Sequence, residues 1–351
     1  MITSDKISSF VAGAVVCVLL LTAGCAHLTA ETAKSKGEPK ETIKPKIEPE
    51  EQKPTVQLAM RFTPQDSTTY RVIMEGEKGG EWKGALPSKP SVFKGGHTGN
   101  RIEMTFTEQI QSTDDKGNAV AKITIKKLEY LAKVRDQAVL DFDSSREEDR
   151  NSALSSLIGQ SYTIEITASG QVSKVIDVSG ARAAVRDSSS AGKRATALLS
   201  ANAIKERHTI PALPVTNKSQ LRPGDNWSNI NTFFFDMMGS KSYERIYTLQ
   251  EIKDTDGRRV AIAEMKAVPS AEMAKQLHKE QATSFFAQMF DNTETYTGQL
   301  KFDLTTGKVE KCVEELRSEW LAVDPSAGQG DKKPDALRLT ATRLYYIERI
   351  D

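Results

Sequence analysis

The residues of this 351-residue chain whose types could do chemistry are three cysteines, four histidines and one dense acidic run. A cysteine becomes a nucleophile when a base or a cation lowers its pKa. No histidine partner is identifiable for Cys312, whose alternating position in a strand-like stretch makes it a small core or half-exposed residue. His27, His97, His208 and His278 lack the paired His/Cys spacing of a zinc site and read as solvated surface residues. Asp254-x-Asp256-Gly257 has the opening of a calcium loop, but Arg258-Arg259 stand where further oxygen ligands are needed, so a hairpin turn is expected. The run Asp141, Asp143, Glu147, Glu148, Asp149 reads as a solvated loop or helix start. Nucleophile-elbow, metalloprotease, phosphate-loop and dinucleotide signatures are absent. No catalytic residue, metal ligand or cofactor is therefore assigned. Lys and Arg total 48 against 47 Asp and Glu, so charge gives no case for nucleic acid.

Cys25 differs from the other cysteines in what precedes it. An apolar run from Phe10 to Leu21 follows Met1 and Lys6, and Ala23-Gly24 lead directly into the cysteine. The run has the length of a signal-peptide core and is short for a bilayer span. Leu21-Thr22-Ala23-Gly24-Cys25 resembles a bacterial lipoprotein signal, although Thr22 holds the place where that pattern prefers Leu. The resemblance implies cleavage before Cys25, a diacylglyceryl thioether on its sulfur, and acylation (palmitate or similar) of the new N-terminus. Each buried methylene contributes about 0.8 kcal/mol, so roughly three chains would anchor stably. Ala26 after the cysteine resembles the default for outer-membrane sorting. Residues 1–24 are thus expected to be a signal peptide. Residues 25–55, Lys/Glu/Pro-rich with prolines at 39, 45, 49 and 54, are expected to be a disordered tether. With Cys17 removed and Cys25 lipidated, Cys312 stands alone and no intrachain disulfide is available, so the core must hold the body.

The elements of that body look duplicated. Phe62-Thr-Pro64-Gln-Asp66 recurs as Leu221-Arg-Pro223-Gly-Asp225. A hairpin over Thr105–Ile110 and Val120–Lys126 matches one over Tyr247–Ile252 and Val260–Lys266. A second hairpin, Tyr162–Ile166 with Val172–Val178, matches Leu300–Leu304 with Val309–Leu316. Alternating apolar residues closed by Asp/Gly turns are the hairpin pattern, and three blocks in one order argue for a repeat. Residues 56–209 then form the first copy with a helical connection, and 210–351 the second copy with a final strand. A short helix is expected within Asp149–Ile158. A longer Phe/Met helix is expected after Pro269-Ser270. Surface loops are expected at Gly76–Asn100 and Ala322–Asp335.

The expected fold is α+β, mainly β: a large curved antiparallel sheet or open barrel built from two similar hairpin repeats, with helices on one face. Leu221-Arg-Pro-Gly-Asp-Asn-Trp227 resembles a segment of uncharacterised β-rich bacterial lipoproteins, which implies an envelope location and no known reaction. The layout alone resembles the open-barrel lipoprotein carriers that cradle acyl chains beneath helices. Phe233, Phe235, Phe285, Phe286 and Met289 are the candidates for lining an apolar ligand, because broad rings and flexible Met suit an adaptable cavity. The expectation is a non-enzymatic, lipid-anchored envelope protein that binds an apolar ligand or an envelope partner. The alternative is an envelope hydrolase whose site is not readable in the sequence.

Overall fold

The computed structural model describes residues 54–83, 95–185, 188–215, 220–235, 238–255, 257–270, 291–323 and 336–351. The first half of the chain contributes β1 (Ser67–Lys83), β2 (Gly96–Thr113), β3 (Ala119–Val134), β4 (Gln137–Asp143), β5 (Ser161–Ile166) and β6 (Val172–Asp177). The second contributes β7 (Asn226–Phe234), β8 (Ser240–Thr255), β9 (Arg258–Pro269), β10 (Asp291–Asp303), β11 (Lys308–Val323) and β12 (Ala336–Arg349). All twelve lie in one sheet, in the order β6-β5-β3-β2-β1-β12-β11-β10-β9-β8-β7, with β4 paired to β3 off this path. Every pairing is antiparallel. The fold is mainly β with few helices, as the alternating pattern predicts.

The expected hairpins are β2–β3, β5–β6, β8–β9 and β10–β11, and the lead-ins to β1 and β7 share the same bonds. In the two lead-ins, Gln65 and Gly224 both take positive φ, 71° and 100°. Their N–H groups donate to Ile110 O (2.8 Å) and Leu249 O (2.7 Å). Ile110 N and Leu249 N in turn donate to Asp66 O and Asp225 O, at 2.9 and 3.0 Å. Ser67 opposes Gln109 as Asn226 opposes Thr248. The following pairings then slip register just past Ile110 and just past Leu249. Such a bulge bends the strand and sharpens its twist, so each half curls at the same place. β12 inserts between the halves, pairing with β1 on one side and β11 on the other.

How far the sheet curls follows from the short segment ahead of β1. Val56 exchanges hydrogen bonds with Leu221, just before β7, and Met60 N donates to Ala168 O, in the β5–β6 turn (2.7 Å). Four residue steps reach at most about 14 Å. Eleven strands laid flat would separate those two edges by about 48 Å. The sheet is therefore rolled into an open barrel, and 56–60 straps its two edges together at one end.

The concave face at that end is filled. Val72, Ile347, Cys312 and Leu300 form one buried cross-strand row. Between the halves run α1 (Ser179–Ala184), α2 (Ser190–Leu198) and α3 (Ala201–His208). Two serines cap these helices: Ser189 Oγ accepts from Gly192 N and Ser200 Oγ from Ala203 N. The crossover after α3 lies inside the curl. Ile210 N donates to Gly170 O at one edge, and the Trp227 indole donates to Ala212 O at the other. From the middle of the sheet, Tyr345 donates to Thr209 O at 3.0 Å. Leu198, Leu199, Ile204, Ile210 and Leu213 are buried in the same core.

Three expectations need correction. The supposed loop Gly76–Asn100 is largely strand, since β1 and β2 pair without interruption from Gly76↔Asn100 to Gly80↔Gly96. Glycines there remove the alternation by which a strand is recognised. Ala322 and Val323 likewise belong to β11. The insert expected as a short helix in 149–158 holds a single 3-10 turn, Ser155–Leu157. The tether and the Phe/Met helix after Ser270 lie outside the described residues.

Candidate binding cavity in the concave face

Beyond the filled end, the concave face opens into a cavity of about 700 Å³, within the usual range of roughly 300–1,000 Å³ for a small-molecule site. Strand parity decides what enters it. On β8 the inward residues are Tyr243, Arg245, Tyr247 and Leu249, and on β11 Cys312, Glu314, Leu316 and Ser318. A charged residue thus falls on the buried parity of each strand. Arg245 Nη1 donates to Glu314 Oε2 at 2.9 Å, with side-chain exposures of 10% and 5%. Glu314 also accepts from Tyr296 Oη (2.7 Å) and from Tyr247 Oη, while Arg245 Nε donates to Asn229 Oδ1 (2.6 Å). β9 and β10 separate Tyr247 from Glu314. The gap closes because β10 carries Gly298 at the crossing point, where a Cβ would come 2.6 Å from Val313 O and 3.2 Å from Glu314 Cγ.

The electrostatics agree with a closed network. Burial opposes the charge on Arg245, but the Glu314 carboxylate outweighs it and holds the guanidinium more firmly protonated than usual. Burial first, and then the Glu314 charge, push the Tyr247 and Tyr296 hydroxyls above their ordinary range, so both remain donors. Around this polar floor Met74, Ile102, Leu198, Phe233, Leu316 and Tyr345 supply apolar wall, and Glu75, Asn100, Lys205, Glu206 and Arg207 also line the space. Arg343 also lines it, its guanidinium 4.9 Å from the Phe233 ring centre.

Of the ring residues singled out in the sequence, Phe233 lines the cavity and packs on Tyr296 and Tyr243, with centroids 5.7 and 6.0 Å away. Phe235 is buried edge-on against Trp320 at 5.2 Å and is not among the lining residues. Phe285, Phe286, Met289 and Cys25 lie outside the described residues. Sequence reasoning missed Arg245, Glu314, Tyr296 and Arg343, although a charge on the apolar parity of a long strand was a usable signal.

The remaining chemistry-bearing residues fall elsewhere. His208 is buried rather than solvated, because the end of α3 packs into the core. Its Nε2 lies 2.6 Å from Tyr162 Oη, it sits edge-on to Phe106, and burial holds its pKa well below the usual value. His97 is at the surface, with Nδ1 3.0 Å from Asp136 Oδ1. Cys312 is fully buried, and burial raises its thiol pKa well above normal, which leaves it unreactive. Arg146 neutralises the acidic run by bridging Asp141 (2.9 Å) and Asp149 (2.7 Å). Among the described residues no cluster of metal-ligating side chains occurs.

A family model described as "Family of unknown function (DUF6263)" matches residues 116–309, more than half of the chain. Comparison with curated proteins returns no match. Among solved structures, lipovitellin, in a structure concerned with its lipid–protein interactions, matches with 9% identity and a TM-score of 0.39. The match covers 83% of this chain and 26% of that one, so the chain spans about a quarter of that protein's length. A likeness of this size carries no inference about ligand.

Proposed function

The chain belongs to this family of unknown function, and we propose from its geometry that it is a non-enzymatic binding protein for an amphipathic molecule, held at the cell envelope by lipidated Cys25. The observation that carries the binding reading is the concave cavity, which sets apolar side chains beside a buried polar network. An apolar ligand body fits such walls through the hydrophobic effect, while a few fixed polar groups orient it. The floor supports binding rather than catalysis, because three donors already occupy the Glu314 carboxylate. Neither described histidine meets a serine, threonine or cysteine: His97 meets Asp136 and His208 meets Tyr162. The envelope part of the reading rests on the apolar run and small residues before Cys25 and on the Pro/Lys/Glu-rich stretch after it.

Native mass spectrometry of the whole mature chain with single-chain amphiphiles tests the binding reading. One-to-one adducts that survive desalting, and that weaken in Phe233→Ala, are expected. A chain that stays ligand-free with fatty acid, fatty alcohol and lysophospholipid alike would remove it.

A further inference from the structure

Resting on that reading of the cavity, we infer that its ligand carries an anionic head group, seated against Arg343 in the space left open at Gly76. The cross-strand register places Asn100, Gly76, Arg343 and Leu316 side by side in one row of the concave face. A side chain at Gly76 would meet nothing within 4 Å, so this row is open at the position next to Arg343. Three other charges of the cavity are paired. Arg245 and Glu314 neutralise each other, and Glu75 faces Arg101 at 3.7 Å. Arg207 is buried and donates to Leu198 O and Tyr162 Oη, while Lys205 and Glu206 line the space from α3. Arg343 has no ion pair among the described residues and lies over the Phe233 face. That contact holds the guanidinium without neutralising it, because an aromatic face attracts a cation through its quadrupole. A planar guanidinium with free N–H groups beside an empty space suits a carboxylate or a phosphate monoester. Leu316, next in the row, and Phe233 then offer the apolar surface over which the chain of such a ligand would lie.

Calorimetric titration of the whole mature chain with laurate, dodecyl phosphate and dodecanol separates head group from tail. Both anions are expected to bind about tenfold more tightly than the alcohol, the size of one charge-assisted hydrogen bond. Arg343→Gln should erase that advantage and leave dodecanol unchanged, and Arg343→Lys should restore part of it. Gly76→Val, which fills the gap, should weaken the anions more than the alcohol. A stronger response to one anion identifies the head group as carboxylate or phosphate. An anion advantage that persists in Arg343→Gln, or equal weakening of all three ligands, overturns the head-group assignment and leaves the cavity reading standing. Failure of all three to bind the unaltered chain overturns both.

Discussion

Single residues in this protein matter most where a charge sits on a buried parity. Arg245 and Glu314 support each other, so truncating either leaves the other charge buried without its partner. Glu314→Leu or Arg245→Met alone is expected to cost about 3–5 kcal/mol, and the double replacement much less than the sum. Urea denaturation of the three variants measures the coupling, and strict additivity would contradict the network. Glu108 supplies the second prediction. Burial, opposed by Lys308 and reinforced by Asp66, raises its pKa to about 7. The folded state then holds a proton that the unfolded chain has released, so this residue's contribution is full below the unfolded value and falls as pH rises toward 7. His208 works in the opposite sense, since its lowered pKa makes protonation favour unfolding as pH falls below its ordinary value. Glu108→Gln removes the first effect and leaves the second. Relative to the unaltered protein it should gain stability between pH 5 and pH 8, by on the order of 3 kcal/mol. Unfolding curves at those two pH values are the check, and a variant whose relative stability is flat with pH would refute it.

Elements show why part of the design was legible and part was not. Hairpins β2–β3, β5–β6, β8–β9 and β10–β11 could be read because local alternation and Asp/Gly turns specify them without reference to the rest of the chain. The lead-in Pro-x-Asp was readable as a repeat, but its mechanical role was not. Only the structure shows that Gln65 and Gly224 take the same left-handed backbone to dock on the next strand. Gly224→Ala should therefore cost about 1–2 kcal/mol. It meets no side chain, so the loss belongs to the backbone alone. Gln65→Gly should be neutral or stabilising by several tenths of a kcal/mol. Thermal unfolding of both variants tests the pair, and equal losses would mean that the two lead-ins are not equivalent. The extensions of β1 and β2 were illegible because glycine carries no parity. The placement of β12 was illegible for a different reason: it pairs with β1 and β11, and a long-range pairing leaves no mark in local sequence. The same limit hid the cavity, whose floor takes Arg245, Tyr296 and Glu314 from three strands. It also hid His208, whose burial depends on where α3 lands.

Among the described residues, a rolled sheet strapped at one end presents a concave surface toward the other. The residues before the strap then bear on how that surface is deployed. If Cys25 is the acylated first residue, the segment to Val56 is a leash. At about 3.1 Å per residue, a Pro-rich stretch of that length would reach at most roughly 95 Å, more than the thickness of a bilayer. On the proposed reading, a cavity for amphiphiles on such a leash can meet a membrane without being embedded in it. This predicts a division of labour that one substitution exposes. Cys25→Ser should abolish incorporation of an alkyne-labelled fatty acid and move the protein from the membrane to the soluble fraction of the envelope. It should leave amphiphile binding in the titrations above unchanged, because the residues that line the cavity all lie at or after Met74 in the chain. Retention of the label in Cys25→Ser would remove the assignment of the lipid to this residue. Loss of binding together with loss of the label would instead mean that the anchor's own acyl chains occupy the cavity.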